Sequence, residues 1–501
     1  MTAAGYPGVS YLRLLLMTLP QIAVAVTAFL TLTVDLATLR KASLRTRWRV
    51  GTLIACAGCA GAILLLFLYP QYGSFGDGML IANPLTRVVQ TALLVLAAFT
   101  ALLSFDAVFT SHIGEYLAVI LFATTGMMFL VASQNFLLIF ISLELLSLSL
   151  YILTAFNKSS RQSAEGALKY FLFGGMSAAF LLFGISLLYG LTGSINLVEI
   201  DRAIQGHPLT PMLAVALVMT VTGFGFKVAA VPFHLWAPDA YQGAPTPSGA
   251  FIASSSKVAS FFVFAQVMLV GLAAGQGSGA WHNSKAGWAP VIVAVAALSM
   301  ILGNLAAIVQ TSVRRLLAYS AVGHAGYMLL GILARSAWGV RALVYYVITY
   351  ALAAIGAFGV LAALEAGDNV GIDEIPDLAG LSRRAPVLSF CMLIFFLSLA
   401  GIPPLAGFFG KFYLFSAALA GENSGPLWLV ILAIAMSAIS LYYYLRVVKQ
   451  IYVGEPAAAS PPMKISRTVT ATICVIALLV VVLGCAPNLL VGWIGSAMHL
   501  P

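Results

Sequence analysis

An all-α polytopic membrane protein of about fourteen transmembrane helices is what this sequence predicts, and three observations predict it. The 501 residues are 61% hydrophobic and only 8% charged, against about 25% charged in an ordinary soluble domain. Apolar runs repeatedly reach the roughly 20 residues that a helix needs to cross a bilayer, and they continue from end to end. Lys and Arg collect in alternate loops, as they do when those loops share the cytoplasmic side. Residues 1–501 therefore read as a single transmembrane domain, and the net charge of +9 needs no nucleic-acid partner.

The first run, Leu12 to Thr38, has Arg13 before it and Arg40, Lys41, Arg45, Arg47 and Arg49 after it. A signal peptide carries its positive charge in front, so this run reads as an uncleaved first span despite Ala23-Val24-Ala25. Further spans start near residues 50, 86, 113, 136, 167, 211, 246, 288, 316, 340, 386, 427 and 466. Pro232, with Gly223 and Gly225 ahead of it, bends or breaks the span from 211. The long span from 386 carries Gly401, Pro403 and Pro404 at its centre and reads as one discontinuous helix. Two interrupted spans, one in each half, suggest an internal duplication with the site at the repeat interface.

With this count the odd-numbered loops hold fifteen basic residues: Arg40, Lys41, Arg45, Arg47, Arg49, Lys158, Arg161, Arg314, Arg315, Arg383, Arg384, Arg446, Lys449, Lys464 and Arg467. The even-numbered loops hold Arg87, Arg202, Lys285, Arg335 and Arg341, which with Arg13 makes six. The bias puts the odd loops in the cytoplasm and both termini outside. The five cysteines fall in or beside apolar runs, where thiols pack as small hydrophobes. Cys56 and Cys59 lack a second Cys or His pair, so no zinc or iron–sulfur site is expected.

Four lysines remain, and all lie within spans: Lys169, Lys227, Lys257 and Lys411. Glu144 is set squarely inside an apolar stretch, and His324 lies inside a span as well. One acid and four lysines at membrane depth cost on the order of 15 kcal/mol, so a chain that only had to fold would lack them. Glu144 is nearly four helical turns from the next charge, Lys158, too far to snorkel. It needs a partner from another helix, and Lys227 is the natural candidate. Lys257 is flanked by Ser254, Ser255 and Ser256, whose hydroxyls can share hydrogen bonds with an ammonium or water. Lys169 lies close to Glu165 near its span's start, where snorkelling competes with a buried role. Burial disfavours a lysine's charged form and a nearby carboxylate favours it, so groups of this kind can take up and release protons. There is no GxxxxGK[ST] motif, dinucleotide fingerprint or haem set, so the energy must come from a partner or an ion gradient.

The segments GFGFKVAAVPFHLWAPDAYQGAPTP, IASSSKVASF, SVRRLLAYSAVGHAGYM, LSLAGIPPLAGFFGKFYLF and LYYYLRVV resemble the antiporter-like membrane subunits of respiratory complex I. The resemblance spans nearly the whole chain. It implies fourteen helices with helices 7 and 12 discontinuous: three peripheral helices in 1–110, two inverted five-helix repeats in 113–273 and 288–448, and a last helix in 466–495. It implies a proton relay in which Glu144 and Lys227 form the acid–lysine pair, Lys257 the central station and Lys411 the terminal one. Lys169 and His324 match further positions on the same polar axis.

The implied function is proton translocation in the membrane arm of NADH:quinone oxidoreductase, driven by electron transfer elsewhere. No cofactor is expected in this chain; NADH, FMN, iron–sulfur clusters and quinone belong to partner subunits. The implied partners are other membrane-arm subunits, antiporter-like and small, the lipid of a bacterial inner membrane and, indirectly, the peripheral redox arm. Two features separate the chain from sister subunits: subunit M has glutamate where Lys411 stands, and subunit L continues into a long lateral helix where this chain stops at Pro501. The first three spans match weakly and contribute no site residue. Subunits of multi-subunit cation/proton antiporters and of membrane-bound hydrogenases share this ancestry, and only the neighbouring proteins distinguish them.

Overall fold

A computed structural model describes residues 11–105, 107–280, 283–368, 373–420, 427–455 and 465–499. Lys464, assigned above to an odd-numbered loop, lies outside the described residues. The chain opens with α1 (Tyr11–Ala37), α2 (Leu44–Leu68), the hairpin β1 (Gly73–Phe75) and β2 (Leu80–Ala82), and α3 (Pro84–Leu103). Next come α4 (Ile113–Val131), α5 (Phe136–Thr154), α6 (Arg161–Thr192), α7 (Leu197–Ile204), α8 (Pro211–Lys227), α9 (Trp236–Gly243), α10 (Thr246–Ala253) and α11 (Ser255–Gln266). A second hairpin, β3 (Ser278–Ala280) and β4 (Asn283–Lys285), leads to α12 (Trp288–Ile308), α13 (Val313–Leu333) and α14 (Ala337–Asp368). The chain continues with α15 (Leu381–Arg384), α16 (Pro386–Ala400), α17 (Ala406–Ala420), α18 (Leu427–Val453), α19 (Arg467–Cys485) and α20 (Asn488–His499).

Twelve helical segments among these are long and apolar enough to cross a membrane. The interrupted pairs α8/α9 and α16/α17 bring the spans to the expected fourteen. The helices start where the sequence supplies caps. Ser43, Asn83, Asn135, Ser160, Thr210 and Ser312 each accept a first-turn backbone N–H, and Pro84, Pro211 and Pro386 open their helices.

Three features depart from the expected outline. The eighth span is interrupted at Ser254, whose ψ of −79° leaves the helical range. There Ser254 and Ser256 bond back to the carbonyls of Ala250 and Ile252, which competes with a straight helix. The last span ends at Cys485, and a separate helix starts past Pro487, which has no N–H to continue it. The sixth loop holds the short amphipathic helix α7, an element that the outline of spans did not include.

The apolar effect does not drive helices together in lipid, so small residues that permit close backbone approach decide the packing. The helix α14 is rich in Ala and Gly, and its most apolar window is wholly buried. A Cβ on Gly303 of α12 would strike the backbone of Gly323 on α13, so both glycines let these two helices touch. By contrast α1, α2, α6, α18 and α19 turn much of their surface outward, with Phe29, Phe171, Phe183 and Ile431 exposed. The even-numbered loops are knit together at one end: Ile81 N–H donates to Ala132, Gln134 N–H to Gly78, and Asn196 to the Asp77 carbonyl.

Candidate functional site

Lys227 is the last residue of α8, where the unsatisfied carbonyls of a helix end favour a cation. Its ammonium donates to Ser147 Oγ on α5. Glu144 lies one turn before Ser147 on the same face, half-buried, and its charge acts on Lys227 across the gap. No contact ion pair joins Glu144 to Lys227 among the described residues. The serine hydroxyl takes the place expected for the carboxylate because it is the group level with the end of α8.

Two prolines explain the next contacts. In a continued helix the Val228 carbonyl would receive the N–H of residue 232, but Pro232 has none. The free carbonyl accepts instead from Lys257 Nζ at 3.1 Å, and Lys257 also donates to the Ala321 carbonyl of α13 at 2.8 Å. The same logic recurs at α16. Pro403 and Pro404 cannot cap the carbonyls of Leu399 and Ala400, and both accept from Lys411 Nζ, at 3.0 and 2.9 Å. Ser437 Oγ of α18 completes the Lys411 shell at 2.8 Å. Lys227, Lys257 and Lys411 are all buried.

His324 stands one turn beyond Ala321 on α13 and is also buried. Nδ1 lies 2.6 Å from the Tyr346 hydroxyl and Nε2 lies 3.1 Å from that of Tyr444. A phenol can donate or accept, so this imidazole can exchange tautomers with its neighbours and hand a proton across the ring. The charges of both Lys257 and Lys411 act on it. Toward Lys411 the polar chain continues: Tyr444 bonds Ser320, the adjacent Tyr443 donates to Asn304 at 3.0 Å, and Asn304 donates to the Tyr327 hydroxyl at 3.1 Å. The Tyr327 ring faces the Lys411 ammonium at 5.2 Å.

Lys169 lies apart from this row. Its side chain is 40% exposed and its ammonium pairs with Glu165 and Asp239, each at 2.8 Å. It belongs to a charged layer at the end of the bundle that carries the odd-numbered loops. There Arg315 holds Asp239 at 2.6 Å, and Arg314 holds Asp373 at 2.9 Å. Asp373 also accepts from Gln242 at 2.6 Å and Ser312 at 2.7 Å. Burial pushes the Asp373 carboxyl up, but the Arg314 charge and these hydrogen bonds outweigh it and hold the group below its ordinary 3.8.

The structure therefore joins Lys227, Lys257, His324 and Lys411 in one buried row, with the half-buried Glu144 one turn from Ser147 at its start, and leaves Lys169 apart. Sequence reasoning missed Ser147, Asn304, Tyr346 and Tyr444, which link the row. The only signal was the LYYYLRVV segment, since a tyrosine within an apolar helix otherwise reads as packing. Among the described residues no group of three or more His, Cys, Asp or Glu is placed to hold a metal ion.

Comparison with known proteins follows the same lines. The family model described as "NADH:quinone oxidoreductase/Mrp antiporter, TM" matches residues 133–440. NADH-quinone oxidoreductase subunit N 2 of Acidobacterium capsulatum is 57% identical over 97% of this chain and 99% of its own. A chain of respiratory complex I from Thermus thermophilus, solved with bound aureothin, superposes with a TM-score of 0.77 at 32% identity, covering 94% of this chain and 98% of that one. A chain of the Mrp complex from Dietzia sp. DQ12-45-1b shares the fold, with a TM-score of 0.80 at 20% identity over 96% of this chain and 97% of that one.

Proposed function

The chain belongs to the NADH:quinone oxidoreductase/Mrp antiporter transmembrane family, and from that premise we propose that it is a membrane-arm subunit of a proton-pumping NADH:quinone oxidoreductase. The observation that carries this reading is the 57% identity to a subunit N over nearly the full length of both chains. Its working parts are Glu144, Lys227, Lys257, His324 and Lys411, which pass protons along the buried row, with Lys169 as a charged flank. Lys227, Lys257 and Lys411 each bond carbonyl or hydroxyl oxygens at a helix end or crossing, so a small shift of the neighbouring helix changes their proton affinity.

Moving one charge against 100 mV costs about 2.3 kcal/mol, and electron transfer from NADH to quinone in partner subunits, through FMN and iron–sulfur clusters, supplies it. The loops rich in Lys and Arg face the cytoplasm of a bacterial cell, with both termini in the periplasm. The row divides into two repeats, 113–273 and 288–448, each holding one helix broken at proline.

Isolation of the tagged chain in mild detergent tests the assignment. Flavin and iron–sulfur subunits should accompany it with NADH–quinone reductase activity; recovery of membrane antiporter subunits alone, without redox activity, would overturn it in favour of a cation/proton antiporter. The relay is tested by Lys227→Ala in the assembled complex, which should cut proton pumping by roughly tenfold or more. A normal proton-to-electron ratio in that variant would sink the relay.

A further inference from the structure

Two cavities open on the end of the bundle that bears the odd-numbered loops, and Glu365 lines both. One, of about 420 Å³, is bounded by Arg45, Phe105, Val108, Pro247 and Val469. The other, of about 410 Å³, is bounded by Val108, Ser159, Gln242, Thr246 and Arg314. The exposed Val108 and Ser159 put both within reach of the surface. Glu365 Oε2 accepts from the Thr246 hydroxyl at 2.6 Å. Its Oε1 is shielded and accepts no hydrogen bond, although Arg314 Nη1 approaches to 3.4 Å. A carboxylate oxygen so placed is a proton acceptor with an open lone pair.

From Glu365 the helix α14 runs inward toward Tyr350, fifteen residues and about 22 Å away. The Tyr350 ring lies 6.0 Å from the Lys257 ammonium and 5.0 Å from the His324 ring. Between the two ends stands Tyr241. It is fully buried, its ring meets Phe358 of α14 edge-on, and its hydroxyl has no hydrogen-bond partner among the described residues. A buried phenol without a partner is uncommon in a packed interior, and one midway between an acid and an ammonium suits a proton step.

We propose that Glu365 is the proton-uptake group of this chain, drawing protons from the two cavities and passing them through the Tyr241 hydroxyl to Lys257. The proposal rests on the relay reading above and on the basic loops facing the cytoplasm. Hydronium in a cavity gives its proton to the Glu365 carboxylate, which both cavities meet, and leaves as water. Neutral Glu365 releases Arg314 to Asp373, its other carboxylate partner. Once Lys257 has handed its own proton on along the row and stands as a neutral amine, the proton moves inward through bridging water: Glu365 returns to carboxylate, and the Tyr241 oxygen accepts one proton as its own leaves for the Lys257 amine, so the phenol is regenerated.

The test compares Glu365→Gln, Glu365→Asp, Tyr241→Phe and Lys227→Ala complexes in inverted membrane vesicles. NADH-driven proton uptake is read beside NADH oxidation by an artificial acceptor that bypasses the membrane arm. Glu365→Gln and Tyr241→Phe should each lower proton uptake roughly tenfold with the bypass rate unchanged, and Glu365→Asp should restore most of it. Wild-type uptake in Glu365→Gln beside a failed Lys227→Ala would overturn the uptake site and leave the relay standing. Normal pumping in Lys227→Ala would remove both. Should Glu365→Gln not assemble, Val108→Cys decides: thiol reagents of rising bulk, added on the cytoplasmic side, should slow turnover in order of size. Full labelling without slowing would overturn the proposal.

Discussion

A lysine ammonium held inside a bilayer must find oxygen atoms, and this chain provides them by removing N–H groups. Pro232 frees the Val228 carbonyl for Lys257, and Pro403 and Pro404 free those of Leu399 and Ala400 for Lys411. The prolines and the lysines were legible in the sequence; their pairing was not, because Val228 and Lys257 are 29 residues apart. His324 shows the same limit, since its partners Tyr346 and Tyr444 come from two other helices. Tyr444→Phe removes the hydroxyl shared by His324 and Ser320 while keeping the ring. Quinone-linked turnover should fall severalfold, about 1 kcal/mol of lost hydrogen bonding, with the complex still assembled. Unchanged turnover would show that the imidazole does not work through that phenol.

At the scale of the element, the breaks in α8/α9 and α16/α17 were readable because proline vetoes helix chemically. The break at Ser254 was not, because serine only competes for backbone hydrogen bonds and gives no veto. The packed ends of these elements are tied by Asp373, which joins the start of α13 to Gln242 of α9. Its folded carboxyl is held below 3.8, so the stability it contributes is present in full above that value and fades as pH falls through the lower folded one. Asp373→Asn should therefore lower the melting temperature at pH 7, by about 1–3 kcal/mol of stability. The difference from wild type should shrink once pH drops below roughly 4. A gap of the same size at both pH values would show that the carboxylate charge is not what ties the elements.

For the whole molecule, the charge bias of the loops predicts a definite orientation, and the charged layer of Arg314, Arg315, Asp239 and Asp373 lies at the end those loops share. Ser159→Cys should react with an impermeant thiol reagent in inverted vesicles and stay unlabelled in intact spheroplasts; the reverse pattern would turn the molecule over. The number of spans, the two proline interruptions and the identity of most buried ionisable groups were determined by the sequence alone. The bilayer imposes that legibility, since length, apolarity and charge along one dimension decide what can sit inside it. Only the tertiary structure decided which oxygen receives each ammonium. It set Ser147 rather than Glu144 against Lys227, moved Lys169 out of the row to Asp239, and brought Glu365 to the cavities. Those choices depend on helices distant in sequence meeting at one depth, and pairwise distance in space is not written in the order of residues along a chain.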